Sequence, residues 1–241
     1  MELRYSLAVV TGAGAGLGRE IAVALARRGV SVLVADRDLA AARATVDLVA
    51  AHRVRGWALE CDVAVEADLR ALAGRACDLG GADVLVNNAG GWSEGEQYPA
   101  APYDSWKRTL DLNLRAPMLL TQLFLEGLDQ RRGPHRVGAV VNVASSAALG
   151  TDGYGSPEYA AAKAGLVRFT TALADPVTAE RARVTAVVPG WIGLPRAQEQ
   201  WAALDEDERA GLDPLVPTGD VVRAVVDLVA HGRPGQVVEL L

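Results

Sequence analysis

The chain has 241 residues, enough for one large domain or two small ones. Half of the residues are hydrophobic and 22% are charged, which indicates a globular chain and excludes a disordered one. The formal net charge of −6 disfavours binding to nucleic acid or to an anionic membrane surface, and the two cysteines and three histidines have no metal-ligand spacing.

Short apolar runs alternate with longer amphipathic segments along the whole chain. Seven apolar runs predict strands, at Leu7–Val10, Val30–Ala35, Trp57–Glu60, Val84–Val86, Ala139–Val143, Val184–Val188 and Gln236–Leu240. Six segments between them predict helices, at Leu17–Arg28, Leu39–Ala51, Glu66–Asp78, Asp104–Gln130, Pro157–Ala174 and Asp220–Ala230. Uninterrupted apolar strands separated by helices indicate a parallel sheet covered on both faces. The sequence therefore predicts one doubly wound α/β domain with a seven-stranded parallel sheet.

No segment of the sequence has the length of a targeting signal or of a membrane span. The apolar run near the N-terminus, Leu7–Val10, is far too short for either. We therefore expect a cytoplasmic protein with reduced cysteines, with no metal site and with neither nucleic acid nor membrane as a partner.

The first predicted strand leads into a glycine-rich turn that runs from Thr11 to Gly18 and reads TGAGAGLG. The turn does not match G-x-G-x-x-G, because Leu17 and Arg19 stand where that pattern needs glycine. Glycines between a strand and a helix still let the backbone approach a pyrophosphate at the helix N-terminus. Asp36, which ends the second predicted strand, is placed to accept hydrogen bonds from a ribose. A tight structural turn and a helix-capping acid are the alternative interpretations.

Tyr159 and Lys163 are four residues apart in a predicted helix and therefore share one helical face. A free phenol ionises near pH ~10, and a neighbouring cation lowers the pKa of the phenol. The pair is a candidate for proton transfer near neutral pH. Y-x-x-x-K also occurs by chance on solvated helix faces, but Lys163 is one of only two lysines in the chain.

With these motifs the chain resembles the short-chain dehydrogenase/reductase family, of the short, single-domain type. Further motifs occur in the family's order: N-N-A-G at residues 87–90, a helix asparagine at 113, a serine after the fifth strand, and P-G at residues 189–190. The resemblance covers nearly the whole length. It implies a single Rossmann-type NAD(P)-binding domain over residues 1–241, with a substrate loop at about residues 191–216.

The resemblance also implies a reaction, the transfer of a hydride between NAD(H) and a small secondary alcohol or ketone. Tyr159 is then the general acid/base, and Lys163 lowers the pKa of the phenol and holds the nicotinamide ribose. Both Ser145 and Ser146 are candidates for contact with the substrate oxygen, and the family's spacing to the tyrosine selects Ser146. Asn113 is expected to hold a water molecule that links Lys163 to solvent.

Cofactor contacts follow from the same resemblance, with Asp62 as the acid expected to contact the adenine. A carboxylate at Asp36 repels a 2′-phosphate, whereas Arg37 beside it attracts one, so NAD is favoured and NADP is not excluded. The residues expected to bind the cofactor are Gly12, Gly16, Leu17, Gly18, Asp36, Arg37, Asp62, Val63, Asn88, Ala89, Gly90, Tyr159, Lys163, Pro189, Gly190 and Ile192. A helix cap is the alternative role for Asp62, and Leu194 replaces a threonine with which the family commonly contacts the cofactor.

The resemblance further implies a homodimer or a homotetramer, with the dimer formed through the predicted helices Asp104–Gln130 and Pro157–Ala174. Aromatic and apolar side chains in the loops favour a bulky or cyclic apolar substrate, and packing is their alternative role; these residues are Trp92, Leu149, Tyr154, Trp191 and Trp201.

Two other functions are open to such a chain. One is a catalytically idle cofactor-binding sensor or scaffold on the same fold, which Tyr159, Lys163 and the serine argue against. The other is an epimerase or dehydratase of the extended branch, whose glycine pattern needs glycine where Ala15 stands.

Overall fold

A seven-stranded sheet, entirely parallel, forms the centre of the protein in the order β3-β2-β1-β4-β5-β6-β7. The structure is a computed structural model and describes residues 3–92, 95–129, 137–150 and 154–241. The strands are β1 Leu7–Thr11, β2 Ser31–Asp36, β3 Gly56–Glu60, β4 Val84–Asn87, β5 Gly138–Val143, β6 Ala182–Pro189 and β7 Val237–Leu240. The predicted fold class, a doubly wound Rossmann-type α/β sheet with helices on both faces, is confirmed.

Helices connect the strands and cover the sheet. They are α1 Gly16–Arg27, α2 Leu39–Ala50, α3 Glu66–Asp78, α4 Tyr103–Leu110, α5 Ala116–Asp129, α6 Pro157–Ala172, α7 Pro176–Arg181, α8 Pro195–Ala203, α9 Glu206–Ala210 and α10 Thr218–His231. A π-helical turn, Asp111–Arg115, joins α4 to α5, and a short 3₁₀ turn, Ser146–Ala148, follows β5.

The strands are mainly apolar because each face of the sheet has its own hydrophobic core. Alternate residues of β1 point to opposite faces, so that Ala8 and Val10 join one core and Leu7 and Val9 the other. Helices α1, α2 and α10 contribute buried side chains to the first core, and α3 and α5 contribute to the second. This two-sided burial is the reason that a run of β-branched residues predicts each strand.

The structure departs from the predicted helices in two regions. The long helix expected over Asp104–Gln130 is divided by the π-helical turn, and its last residue, Gln130, lies outside the described residues. Three short helices, α7, α8 and α9, occupy stretches that the sequence pattern leaves as loops. Helices of five to nine residues contain too few turns to establish an amphipathic period.

The strand order reverses between β1 and β4, because β2 lies on one side of β1 and β4 on the other. In open α/β sheets ligands bind beyond the carboxyl ends of the strands at such a reversal. Within the described ranges, no helix is long and apolar enough to cross a membrane.

Candidate active site

The loops that follow β1 and β4 meet in close backbone contact at the reversal of strand order. A Cβ atom on Gly12 would lie 2.9 Å from the Cα atom of Ala89, so only glycine fits there. The Asn88 amide nitrogen donates to the main-chain oxygens of Thr11 (2.9 Å) and Gly12 (3.1 Å). The hydroxyl of Thr11 in turn accepts hydrogen bonds from the main-chain nitrogens of Asn88 and Ala89. Thr11 thus supports the site, although the predicted cofactor contacts omit it.

The glycine-rich turn leaves its inner surface free of side chains. Gly12 and Gly16 have positive φ angles of 60° and 52°, a conformation that favours glycine. A Cβ atom on Gly18 would lie 2.3 Å from the main-chain oxygen of Gly12, inside the turn itself. The turn opens onto the N-terminus of α1, where main-chain N–H groups have no partner within the helix. Such a cradle fits the pyrophosphate of a dinucleotide.

Asp36 at the end of β2 closes the side of this turn. Its carboxylate accepts hydrogen bonds from the main-chain nitrogens of Gly14 (2.7 Å) and Asp38 (3.0 Å). The carbonyl of Gly14 is held from the other side by Arg19 and by the Thr45 hydroxyl. Asp36 therefore supports the turn in addition to its predicted contact with a ribose.

The side chains of Lys163 and Asn113 approach the backbone of Gly90 in the loop after β4. A Cβ atom on Gly90 would lie 2.8 Å from Oδ1 of Asn113 and 3.1 Å from Nζ of Lys163. Nζ donates to the main-chain oxygen of Val143 at 2.9 Å. Oδ1 of Asn113 accepts a hydrogen bond from the main-chain nitrogen of Gly91 at 3.0 Å. Its Nδ2 donates to the main-chain oxygens of Gly91 and Thr109, also at 3.0 Å. The expected water contact of Asn113 stays a prediction.

Burial changes the electrostatics of the Tyr159–Lys163 pair. Lys163 is only 3% exposed, and this burial lowers its pKa from 10.5 to about 8. Nζ lies 5.6 Å from the centre of the Tyr159 ring. Burial also raises the pKa of Tyr159 above its usual value, a hydrogen bond with Ser145 lowers it, and the neighbouring Tyr154 raises it further. The lowered tyrosine pKa expected from the sequence is therefore not found, because burial outweighs the favourable contacts.

A hydrogen bond with Ser145 lowers the pKa of the Tyr159 phenol, whereas the sequence analysis selects the neighbouring Ser146 for contact with the substrate oxygen, which stays a prediction. Ser145 precedes the 3₁₀ turn, and its hydroxyl contacts both the Tyr159 phenol and the main-chain nitrogen of Ala147 (3.2 Å). Ser146 is the first residue of that turn.

A cavity of about 380 Å³ lies beside the ends of β2 and β3. Its lining includes the predicted cofactor residues Gly12, Asp36, Arg37, Asp62, Val63, Asn88, Ala89 and Gly90, together with Cys61, Gly91, Trp92, Arg108 and Leu112. Eight of the residues predicted to bind the cofactor thus line one cavity. Trp92, predicted to face the substrate, lines this cavity with them.

The remaining predicted contacts lie on the segment that follows β6. The nitrogen of Gly190 donates to the oxygen of Leu240 in β7, and Ile192 forms an isolated parallel bridge with Val216 outside the sheet. Leu194 lies over the glycine-rich turn, with Cδ1 3.6 Å from the position of a Cβ atom on Gly16. Pro189 ends β6. In this structure the replacement of the family's threonine by Leu194 places an apolar side chain next to the turn.

Comparisons with known proteins agree with this geometry. The family model described as short chain dehydrogenase matches residues 6–205. The chain is 36% identical to the short-chain reductase protein NovJ of Streptomyces niveus, over 95% of this chain and 88% of that protein. It is 34% identical to a (2S)-[(R)-hydroxy(phenyl)methyl]succinyl-CoA dehydrogenase subunit of Thauera aromatica, over 91% of this chain and 84% of that protein. Among solved structures it is similar to a 7α-hydroxysteroid dehydrogenase complexed with NADH and 7-oxo glycochenodeoxycholic acid, with a TM-score of 0.85, 28% identity, and coverage of 99% of this chain and 94% of that one.

The glycine turn yields a test of packing that needs no ligand. We expect Gly18→Ala to lower the free energy of unfolding, because its Cβ atom would collide with the backbone of Gly12. Gly74→Ala in α3 is the matched control, since nothing lies within 4 Å of the added atom. That control should raise the free energy of unfolding by up to about 1 kcal/mol through helix propensity. Urea unfolding measures both, and equal effects of the two substitutions would contradict the close contact at Gly18.

Proposed function

The chain belongs to the short-chain dehydrogenase/reductase family, and on that premise we propose that it transfers a hydride between NAD(H) and a secondary alcohol or ketone. The observation that carries this proposal is the convergence of Tyr159, Lys163 and a serine hydroxyl beside a side-chain-free glycine cradle. This convergence also favours an enzyme over an idle cofactor-binding scaffold, which has no need of a buried amine beside a phenol.

Tyr159 is the proposed general acid/base. The nicotinamide, when bound, supplies or accepts the hydride. The phenol gives its proton to the substrate oxygen during reduction and takes a proton from the alcohol during oxidation. Its hydrogen bond with Ser145 stabilises the phenolate and opposes the effect of burial on the pKa of Tyr159.

Lys163 has two proposed roles, to hold the nicotinamide ribose and to stabilise the phenolate by its charge. Its pKa of about 8 leaves the ammonium form predominant at neutral pH. Nζ lies 5.6 Å from the ring centre, within the range of a cation–π contact with the phenol. The buried position of Lys163 excludes most of the solvent that would otherwise screen this interaction.

For contact with the substrate oxygen we propose Ser145, with Ser146 as the alternative that family spacing favours. Ser145 shares a hydrogen bond with the phenol, so that one oxygen atom of the substrate is within reach of both hydroxyls. Ser146 lies one residue further along the 3₁₀ turn.

The proposed cofactor is NAD, with NADP less favoured. Asp36 carries a negative charge at the position expected for the adenosine ribose and accepts a hydrogen bond from the turn itself. The structure of the similar 7α-hydroxysteroid dehydrogenase contains NADH, which supports the same choice here. Burying a 2′-phosphate beside this carboxylate costs several kcal/mol, of which Arg37 offsets only a part.

The proposed substrate is a bulky or cyclic apolar alcohol or carbonyl compound. Tyr154 is stacked on Tyr159 with ring centres 6.4 Å apart, and Trp191 and Trp201 form an edge-to-face pair at 5.9 Å. The steroid and phenyl groups named for two similar proteins are also cyclic. We propose that the substrate loop extends over residues 191–216, which contain α8 and α9. The single-domain organisation and the cytoplasmic location stay predictions.

The partner we propose for the outer face of α5 and α6 is a second copy of the chain. A groove of about 740 Å³ there has apolar walls that include Leu114, Met118 and Phe169, and its rim carries acidic and basic residues. A two-fold interface joins the same patch of both copies, so that acidic residues on one rim can pair with basic residues on the other. A dimer through these helices agrees with the predicted contact, and a tetramer requires further surfaces.

The proton-transfer role predicts a large effect of Tyr159→Phe. The ring keeps its packing while the transferable proton is lost, so we expect kcat to fall about 10²- to 10⁴-fold. Tyr154→Phe is the matched control, in which the stacked neighbour loses its hydroxyl, and we expect it to lower kcat less than tenfold. The assay follows nicotinamide absorbance with a panel of alcohols and ketones. More than about a tenth of the wild-type kcat in Tyr159→Phe would falsify the role.

The two serines predict different outcomes when each is replaced by alanine. We expect Ser145→Ala to lower kcat about 10²-fold or more, because a donor aimed at the developing charge is lost. Ser146→Ala should lower kcat less than tenfold. Ser145→Ala should also shift the basic limb of the kcat/KM pH profile to higher pH, because the phenol loses a contact that lowers its pKa. If Ser146→Ala lowers kcat more than Ser145→Ala does, Ser146 is the residue that contacts the substrate oxygen.

The cofactor preference predicts at least tenfold tighter binding of NADH than of NADPH. Asp36→Ser should narrow or reverse this ratio, because Arg37 is then free to bind the phosphate. Asp36→Ser should also weaken the binding of both cofactors, since the Gly14 N–H loses its acceptor. Asp36→Asn is the matched variant that removes the charge and keeps an acceptor oxygen. Titration by fluorescence measures the affinities of the wild type and both variants for the two cofactors, and equal wild-type affinities would overturn the role of Asp36.

The proposed dimer predicts twice the monomer mass by light scattering at micromolar concentration. Met118→Asp places a charge in the groove and should shift the protein towards the monomer. Leu48→Asp is the control, because Leu48 is a similarly exposed apolar residue on α2, outside the groove. A wild-type monomer, or dissociation by the Leu48 substitution alone, would contradict this interface.

A further inference from the structure

We propose that Trp92 and Arg108 bind the adenine end of the dinucleotide, Trp92 as a flat stacking surface and Arg108 as the residue that positions Asp62. This inference rests on the proposed NAD(H) cofactor and deepens it. Neither residue belongs to the motifs that the sequence analysis assigns to the cofactor.

The first observation is the position of Trp92. Its side chain lines the cavity at the ends of β2 and β3, together with Asp36 and Asp62. Tyr159 and Lys163 do not line this cavity, whose lining extends from Asp36 and Asp62 to Gly90, the neighbour of Lys163. Trp92 is 52% exposed, although it borders a cavity that can hold a planar ring.

The second observation is the ion pair between Arg108 and Asp62, which joins α4 to the end of β3 across the cavity. The Arg108 guanidinium donates to Oδ2 of Asp62 at 2.9 Å, and the main-chain nitrogen of Ala64 donates to Oδ1 at 3.0 Å. Burial raises the pKa of Asp62, but the contacts with Arg108 and Ala64 and the charge of Arg37 outweigh it and hold the pKa below its usual value. The carboxylate is therefore ionised and fixed in orientation.

The chemistry of adenine matches both features. Its flat face stacks on an indole or on a guanidinium plane, and its exocyclic amine donates a hydrogen bond to a carboxylate. An ionised carboxylate has about four acceptor positions, so that Asp62 can accept from the amine while it is held by Arg108 and Ala64. The Arg108–Asp62 pair is partly exposed and contributes little to folding stability, so that both side chains are accessible to a ligand in the cavity.

The experiment is calorimetric titration with ADP-ribose, which contains the adenosine and lacks the nicotinamide. We expect Trp92→Leu and Arg108→Ala each to raise the Kd about tenfold. Trp92→Phe keeps a smaller ring and should give an intermediate Kd. Arg223→Ala is the matched control, because Arg223 forms a similarly exposed ion pair, with Asp220, outside the cavity, and it should bind with the wild-type Kd. Thermal melting verifies that each variant is folded.

A second measurement compares turnover with NADH and with dihydronicotinamide mononucleotide, which has no adenine. The ratio of the two kcat/KM values should fall in Trp92→Leu and Arg108→Ala. If the wild type does not bind ADP-ribose, the cofactor proposal fails and this inference fails with it. If the wild type binds and both variants bind within twofold of it, only the roles of Trp92 and Arg108 are overturned.

Discussion

The close approach of two backbone segments, at Gly12 after β1 and at Ala89 after β4, is the constraint from which the candidate site is built. The absence of a Cβ atom at Gly12 lets the two loops touch where the strand order reverses. The Asn88 amide then bridges the carbonyls of Thr11 and Gly12, which fixes the start of the turn relative to β4. The next residue along, Gly90, adjoins the buried amine and the helix asparagine. One contact between loops thus aligns the cradle with the proton-transfer residues.

Burial has opposite consequences for the two titratable groups of the catalytic pair. It disfavours the charged form of each, so the pKa of Lys163 falls to about 8 while the pKa of Tyr159 rises. Excluding water also strengthens any charge interaction that remains. The hydrogen bond with Ser145 opposes the effect of burial on Tyr159, because it lowers the pKa of the phenol. The cavity at the ends of β2 and β3, where we propose that the adenosine binds, is lined by Asp36, Asp62 and Arg108.

Local patterns predict most of the fold. The seven strands follow from apolar runs that are buried on both faces, and the long helices follow from amphipathic periodicity, because both properties belong to short stretches of chain. Helix geometry alone places Tyr159 and Lys163 on one face, and the glycine-rich turn is evident from composition. The break at residues 111–115 is not visible in the sequence, because a π-helical turn keeps the helical composition on either side. Helices α8 and α9 are too short for a periodic signal.

The sequence by itself therefore determined the sheet, its helices, the cradle and the tyrosine–lysine pair, all of which depend on neighbours within a few residues. Tertiary structure brings the Ser145 hydroxyl near the phenol, because the direction of this side chain depends on how the chain leaves β5. It also decided that the Asp36 carboxylate accepts a hydrogen bond from the Gly14 nitrogen and that Trp92 borders the cavity at the ends of β2 and β3. These contacts join residues far apart in the chain, and their geometry exists only after the two sides of the sheet have packed.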